Sequence, residues 1–289
     1  MNFTKMHGLG NDFIVIDCRE LDIPNLTDVM KKLSHRQFGI GFDQALILYN
    51  SNIADFKMDI YNADGGRVEM CGNGIRCFAK YIWDRNLSVK NELAIETLAG
   101  IIKPKIPPNP PLEKGAGYPS KGWVGGDFVQ VDMGEPILEG RKIPVNLDGK
   151  VIDYALHVGD EIFLITSVSM GNPHCVIFVQ DIDKFPVKKI GAMIEKHPFF
   201  PKRTNVEFIQ VINKKELKMR VWERGSGETL ACGTGACASL VAANIKGLAD
   251  REAVIHLLGG DLQINWSKED NHVYMTGPAA EVFEGVVEV

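Results

Sequence analysis

The sequence predicts an α/β fold built twice. Three observations carry this. Strand-type and helix-type apolar spacings alternate along the chain. The segment Glu69-Met-Cys-Gly-Asn-Gly-Ile-Arg-Cys77 returns as Thr229-Leu-Ala-Cys-Gly-Thr-Gly-Ala-Cys237. The shift that superposes them, 161 residues from Cys71 to Cys232, also superposes Gly10-Asn11 on Gly171-Asn172, Val15-Ile16 on Val176-Ile177, Phe38 on Phe199, Met58 on Met219 and Gly66 on Gly227. One register across such separated landmarks implies two copies of one unit, with equivalent cysteines able to meet across a cleft.

Taken in order, Met1 to Asp17 reads as two strands around a turn at Gly8-Leu-Gly-Asn-Asp12, and a helix near Asn25 to Gln37 presents Val29, Met30 and Leu33 before a stop at Gly39. Strands follow at about Gln44–Tyr49 and Phe56–Asn62, then the turn Ala63-Asp-Gly-Gly66. Ile75, Phe78, Ala79 and Ile82 recur at the spacing of an amphipathic helix that ends before Leu87. Lys103 to Asp127 alternates prolines and glycines with hardly a periodic apolar position, the composition of a linker or exposed insertion. The β pattern resumes in Val129–Asp132 and Ile162–Val168. A glycine turn at Met170–His174, a strand at Cys175–Val179 and a helix at about Val187–Lys196 follow. Strands near Val206–Val211 and Leu217–Trp222 lead to the second cysteine motif, with a helix to Gly247. The expected halves are residues 1–117 plus 278–289 carrying Cys71, and 128–277 carrying Cys232, with 103–127 between them. The C-terminal strand is expected to cross back and complete the first half.

An apolar share of 45%, a charged share of 24% and a net charge of −5 describe an ordinary globular chain and argue against a general nucleic-acid or membrane-surface binder. A small-molecule partner is favoured. No apolar run is long enough to span a bilayer, and the first residues carry no signal core, so a cytoplasmic protein is expected. Six cysteines are too sparse for a disulfide scaffold.

Cysteine followed by Gly-x-Gly and then a helical run places a thiol at a helix N-terminus, where backbone N–H groups and the helix dipole favour the thiolate. Cys71 and Cys232 are both so placed. Gly72-Asn73 and Gly233-Thr234 could then hold a carboxylate through main-chain N–H groups, stabilising the charge that develops when its α-proton leaves. Inversion at that carbon needs a base on one face and an acid on the other, which two thiols from equivalent halves supply, so the pattern predicts a racemase or epimerase. Cys18 and Cys175 lie in apolar strands, and Cys77 and Cys237 face early helical turns; all four read as packing residues. Five and four residues separate the cysteines within the motifs, and no matching His pair follows, so a zinc site is disfavoured and no metal is expected. Neither Gly225-Ser-Gly-Glu228 nor His7-Gly-Leu-Gly10 has a phosphate-loop spacing.

Met6-His-Gly-Leu-Gly-Asn-Asp-Phe13, Asn62-Ala-Asp-Gly-Gly66, Met70 to Cys77, Gly171-Asn-Pro-His174 and Glu223 to Cys237 closely resemble the diaminopimelate epimerase family. The resemblance implies two pseudo-symmetric α/β (α+β) domains, each a mixed, mostly antiparallel sheet or barrel around a central helix, with the site in the cleft between them. It implies cofactor-independent interconversion of LL- and meso-diaminopimelate in lysine synthesis, with Cys71 and Cys232 as the acid–base thiols. Asn11, Gln44, Asn62, Gly72, Asn73, Asn172, Asn205, Glu223, Arg224, Gly233 and Thr234 become substrate contacts, His174 and Glu223 tune the thiols, and Phe283 serves a homodimer contact. Arg224 suits a distal carboxylate because its planar fork pairs bidentately. Proline or hydroxyproline racemases also pair two cysteines; Glu223-Arg224 and the asparagines favour a substrate with a second charged end. A thiol-redox or metal-binding protein is the reading from another class.

Overall fold

A computed structural model describes residues 1–107 and 127–288. They form two compact units, residues 1–107, 127–132 and 276–288 in one and residues 133–275 in the other. Most of the expected linker lies outside the described residues. Its first residues do not behave as a linker: Pro104 and Pro107 are buried, and Lys105 exchanges two backbone hydrogen bonds with Gln130, 2.8 and 2.9 Å. That exchange ties β8 (Phe128–Asp132) to the first unit, so the second unit begins one strand later than the expected 128.

In the first unit, β1 (Asn2–Gly8), β2 (Asn11–Asp17), β3 (Gln44–Tyr49), β4 (Phe56–Asn62), β6 (Ile95–Thr97), β7 (Gly100–Ile102) and β18 (Ala280–Val286) form a sheet in the order β18-β1-β2-β3-β4-β6-β7, with β5 (Arg67–Val68) on β4. β18 runs antiparallel to β1, so the chain's last strand completes this sheet. The second sheet orders β8, β17 (Val273–Pro278), β16 (Gly260–Trp266), β15 (Glu252–Leu257), β13 (Glu216–Glu223), β12 (Asn205–Asn213), β11 (Pro173–Phe178), β10 (Glu161–Ser169) and β9 (Tyr154–Val158), with β14 (Gly227–Thr229) on β13. Both sheets are mixed and mostly antiparallel. β2/β3 and β4/β6 are parallel in one, β11/β12 and β13/β15 in the other.

The duplication extends to elements and register. The 161-residue shift carries α2 (Gly72–Asp84) onto α4 (Gly233–Ile245) at both ends. It carries the parallel pair Phe13/Gln44 onto His174/Asn205. Ten of thirteen residues are buried in each of these helices, which makes each the central helix of its unit. α4 is suited to this because it is almost wholly Ala, Gly, Ser, Cys, Leu and Val, and a helix apolar all round belongs in a core. Buried Leu240 and Val241 each contribute on the order of 1.5–3 kcal/mol by leaving water. α2 carries Lys80 inside, offset by ion pairs to Asp84 and Asp127 at 2.9 and 2.8 Å.

Other elements depart from the expected pattern. α1 (Leu26–Leu33) ends four residues before the expected Gln37. The chain folds back onto the helix end, where Ile40 and Gly41 donate to the Leu33 carbonyl. A Cβ on Gly39 would lie 2.4 Å from that oxygen, so the glycine permits the return and does not itself cap the helix. β6, β7, β9, β15 and β16 were not foreseen. α3 (Val187–Glu195) packs on β13, and the α3 glycine, Gly191, sits against Trp222.

Two outcomes follow from this packing. Alanine at a helix interior is favoured over glycine by up to about 1 kcal/mol, but a Cβ on Gly191 would meet Trp222 Cβ at 2.5 Å, and overpacking costs roughly 1–3 kcal/mol. Gly191→Ala should therefore lower the urea midpoint; a raised midpoint would contradict the contact. Burial would raise the Asp12 carboxyl, yet hydrogen bonds from Arg36 and Lys5 bring it down to about 2. A group depressed in the folded state stabilises above its unfolded range near 3.8 and loses that contribution as pH falls towards about 2. Asp12→Asn should flatten the acid limb of a melting-temperature profile in that window while leaving its shape at neutral pH unchanged.

Candidate active site

In the first unit, Cys71 occupies the N-cap of α2 with extended backbone (φ −141°, ψ 113°). Its Sγ accepts from the Gly74 N–H at 3.4 Å, so the sulfur takes one of the donors that a helix's first turn leaves unpaired. A Cβ on Gly74 would crowd Leu46, Cys71 and Phe13 at 3.1 to 3.4 Å, so the second glycine of the motif makes room for the sulfur. Asn11 Oδ1 stands 3.8 Å from Sγ and accepts from Asn73 Nδ2 at 3.5 Å. The turn after β1, with Gly10 at φ 86°, delivers Asn11, and Asp43 holds its amide at 2.8 Å. Gln44 Nε2 donates to Asn62 Oδ1, 2.9 Å, directly across the β3/β4 register. Gln44 Oε1 and Asn73 Oδ1 are buried with no hydrogen-bond partner among the described residues. Buried polar atoms are rarely left so, and these are open to a ligand's donors.

In the second unit, Cys232 holds the equivalent N-cap of α4 (φ −130°, ψ 109°). The Thr234 hydroxyl lies 3.5 Å from its sulfur. Asn172 Nδ2 donates to Thr234 Oγ1 at 3.3 Å, and Asn172 Oδ1 meets His174 Nε2 at 2.9 Å. His174 is wholly buried, and its Nδ1 faces Glu207 Oε1 at 2.7 Å. Glu223 accepts from the Thr229 hydroxyl at 2.5 Å and from the Cys232 thiol. Asn205 accepts the Arg224 backbone N–H at 2.9 Å, which leaves the Arg224 side chain exposed. Burial raises the Glu223 carboxyl, with Thr229 and Cys232 opposing.

The helix terminus does not govern Cys232 as the sequence suggested. Burial pushes its thiol well up, and the charges of Glu223 and Glu207 push it further; Thr234 and the Gly235 N–H offset only part. Desolvation and two like charges outweigh one helix end. This sulfur is a thiol at neutral pH.

Each unit thus assembles its own cluster: Cys71, Asn11 and Asn73 in the first, Cys232, Thr234, Asn172, His174 and Glu223 in the second. Phe283 is elsewhere, on β18 against Phe3 with ring centroids 6.0 Å apart. Cys18, Cys77, Cys175 and Cys237 are buried, and burial lifts Cys18 to about 11 and Cys77 to about 12, beyond use as bases. A cavity of about 870 Å³ lined by Asp17, Arg19, Tyr81 and Arg85 includes none of the candidate residues. Glu207 escapes the sequence reading. Its signal is a carboxylate within Val206-Glu-Phe-Ile-Gln210, where the 161 shift places Leu46 in the first unit.

The chain also resembles known proteins. The diaminopimelate epimerase family model matches residues 3–116 and 166–282. The chain is 51% identical to a diaminopimelate epimerase of Acetivibrio thermocellus, covering 100% of this chain and 99% of that one. It is 52% identical to that of Moorella thermoacetica, over 99% and 98%. Solved structures share the fold at low identity. A phenazine biosynthesis protein of the PhzF family from Bacillus anthracis has a TM-score of 0.69 at 18%, over 100% and 99% of the chains. A hydroxyproline epimerase from Agrobacterium vitis has 0.66 at 14%, over 99% and 90%. With a family model over most of its length and full-length relatives near half identity, this chain belongs to the diaminopimelate epimerase family of isomerases.

Proposed function

We propose that the chain carries out its family's reaction, the interconversion of LL- and meso-2,6-diaminopimelate in lysine biosynthesis, by a two-thiol mechanism without an organic cofactor or metal. The observation that carries this is the duplicated placement of Cys71 and Cys232, each at the N-cap of its unit's central helix. One sulfur, as thiolate, takes the α-proton: the C–H bond breaks, S–H forms and the electron pair passes into the carboxylate. The other, as thiol, gives its proton to the opposite face of the planar carbon. Cys232, held protonated, suits the donating role.

The backbone N–H groups at Gly72-Asn73 and Gly233-Thr234 receive the charge that develops on the reacting carboxylate, an electrostatic term that commonly supplies several kcal/mol of barrier lowering. Gln44 and Asn73, with their uncommitted buried oxygens, take substrate ammonium donors, and Asn11, Asn62, Asn172 and Asn205 complete the polar lining. The exposed Arg224 guanidinium takes the distal carboxylate, with Glu223 beside it for an ammonium group. His174 and Glu223 tune Cys232. A second charged end distinguishes this substrate from proline.

A homodimer through β18 fits the same chain. β18 ends the order of its sheet and leaves Val282, Phe283 and Val286 exposed at 54%, 48% and 77%, and an apolar edge of this kind invites pairing. No helix among the described residues is long and apolar enough to cross a membrane; a cytoplasmic location suits a metabolite substrate.

Purified protein given LL-diaminopimelate with a chelator and a reductant should form the meso isomer, and give no reaction with proline. Cys71→Ala and Cys232→Ala should each cost at least about a thousandfold in kcat, since each removes an acid–base group whose loss alone is worth roughly 10²–10⁴; Cys18→Ala should retain most activity. An active Cys71→Ala protein would sink the two-thiol reading. Light scattering should report a dimer that Phe283→Glu converts to monomer; a monomeric parent protein would contradict the β18 interface.

A further inference from the structure

Equivalent positions in the two units differ in one respect. Where the first unit places Phe13 and Leu46, both fully buried, the second places His174 and Glu207, also fully buried. The strand pairing beneath is the same, Phe13 opposite Gln44 and His174 opposite Asn205. The framework is thus built in one unit with an apolar pair at this place, and the second unit carries an ionisable pair that folding does not require. Replacing such a pair by apolar side chains is often neutral or stabilising, so its presence asks for another reason.

The hydrogen bonds supply one. From Glu207 they run without a break to the reacting sulfur: Glu207 Oε1 to His174 Nδ1 at 2.7 Å, His174 Nε2 to Asn172 Oδ1 at 2.9 Å, Asn172 Nδ2 to Thr234 Oγ1 at 3.3 Å, and Thr234 Oγ1 to Cys232 Sγ at 3.5 Å. Direction follows from the donors. Asn172 Oδ1 can only accept, so His174 Nε2 carries hydrogen; Thr234 accepts from Asn172, and a thiolate sulfur can only accept, so the Thr234 hydroxyl donates to it once Cys232 has lost its proton. The other end is anchored, because Glu207 is fully buried and a Cβ on Gly235 would stand 2.7 Å from its Oε1. An ionised Glu207 can only accept, so it faces a His174 ring with hydrogen on both nitrogens, and its Oε2 has no partner among the described residues.

We propose that Glu207 is a positioning residue for Cys232: through His174, Asn172 and Thr234 it aims a hydroxyl donor at the sulfur. The charge sets the resting thiol, and the aimed donor strengthens as negative charge appears on sulfur, so it acts where it lowers the barrier. The groups facing Cys232 are Glu223 on β13, Glu207 on β12, His174 on β11, and Thr234 with the Gly235 N–H on α4. The inference rests on Cys232 being an acid–base thiol, but its test needs no turnover and so can fail separately.

The test follows ultraviolet thiolate absorbance against pH, taken as the difference between each protein and its Cys232→Ser counterpart. Glu207→Gln, which keeps shape and removes charge, should bring Cys232 deprotonation about one pH unit or more lower. Glu207→Asp, which keeps the charge, should stay near the parent. Thr234→Val, at the partly exposed end of the chain, should move deprotonation higher. An unmoved titration in folded Glu207→Gln would make Glu207 merely structural and overturn the proposal. If that variant does not fold, an unmoved or lowered titration in Thr234→Val overturns it instead.

Discussion

A buried helix cannot hand the N–H groups of its first turn to water, and the two units meet that constraint differently. In the first, the Cys71 sulfur accepts from Gly74, and the glycine leaves space for it to do so. A side chain that caps a buried helix is fixed in place and unable to retreat into solvent. The requirement that holds the helix also aims the thiol, with Asn11 and Asn73 beside it. In the second unit the same position is kept while the polar surroundings change.

That change is where the duplicated fold becomes chemically unequal. Cys71 is partly exposed, and Gly74 in its helix turn packs near Phe13 and Leu46; Cys232 is buried, and Gly235 in the equivalent turn packs near Glu207. Inversion of a stereocentre asks for two groups that differ in protonation at any instant, since one must receive what the other gives. A duplication offers two equal thiols, and the buried ionisable pair breaks the equality without disturbing strand register. The Cys232 thiol, raised by burial and by two carboxylates, is the clearest mark of it.

What the sequence made legible was the elements with a clear apolar period and the motifs that recur. The central helices α2 and α4 and strands β3 and β4 are found where apolar spacing placed them, because each buries a continuous stripe whose period survives in the residues themselves. α1 ends earlier than expected, since Ser34 to Gln37 hold no glycine or proline to mark a stop while the chain turns back to the Leu33 carbonyl, a contact with no local signature. β15 and β16 were missed although Leu258-Gly-Gly260 marks a turn between them, since their apolar content is modest beside the helix that precedes them. Among site residues, cysteines, asparagines and glycines announced themselves by motif. Glu207 did not, because one acid in an apolar strand looks like an exposed position, and only its departure from Leu46 in the repeat betrays it.

One thiol in each unit is the central claim, and solvent isotope separates the two. In deuterated water, each single-cysteine protein, Cys71→Ala or Cys232→Ala, should fail to invert the α-carbon, and any deuterium it incorporates should be confined to one stereoisomer, with the opposite isomer chosen by the two variants. Inversion by either variant, or equal exchange into both isomers by one of them, would show a single base at work and contradict the account.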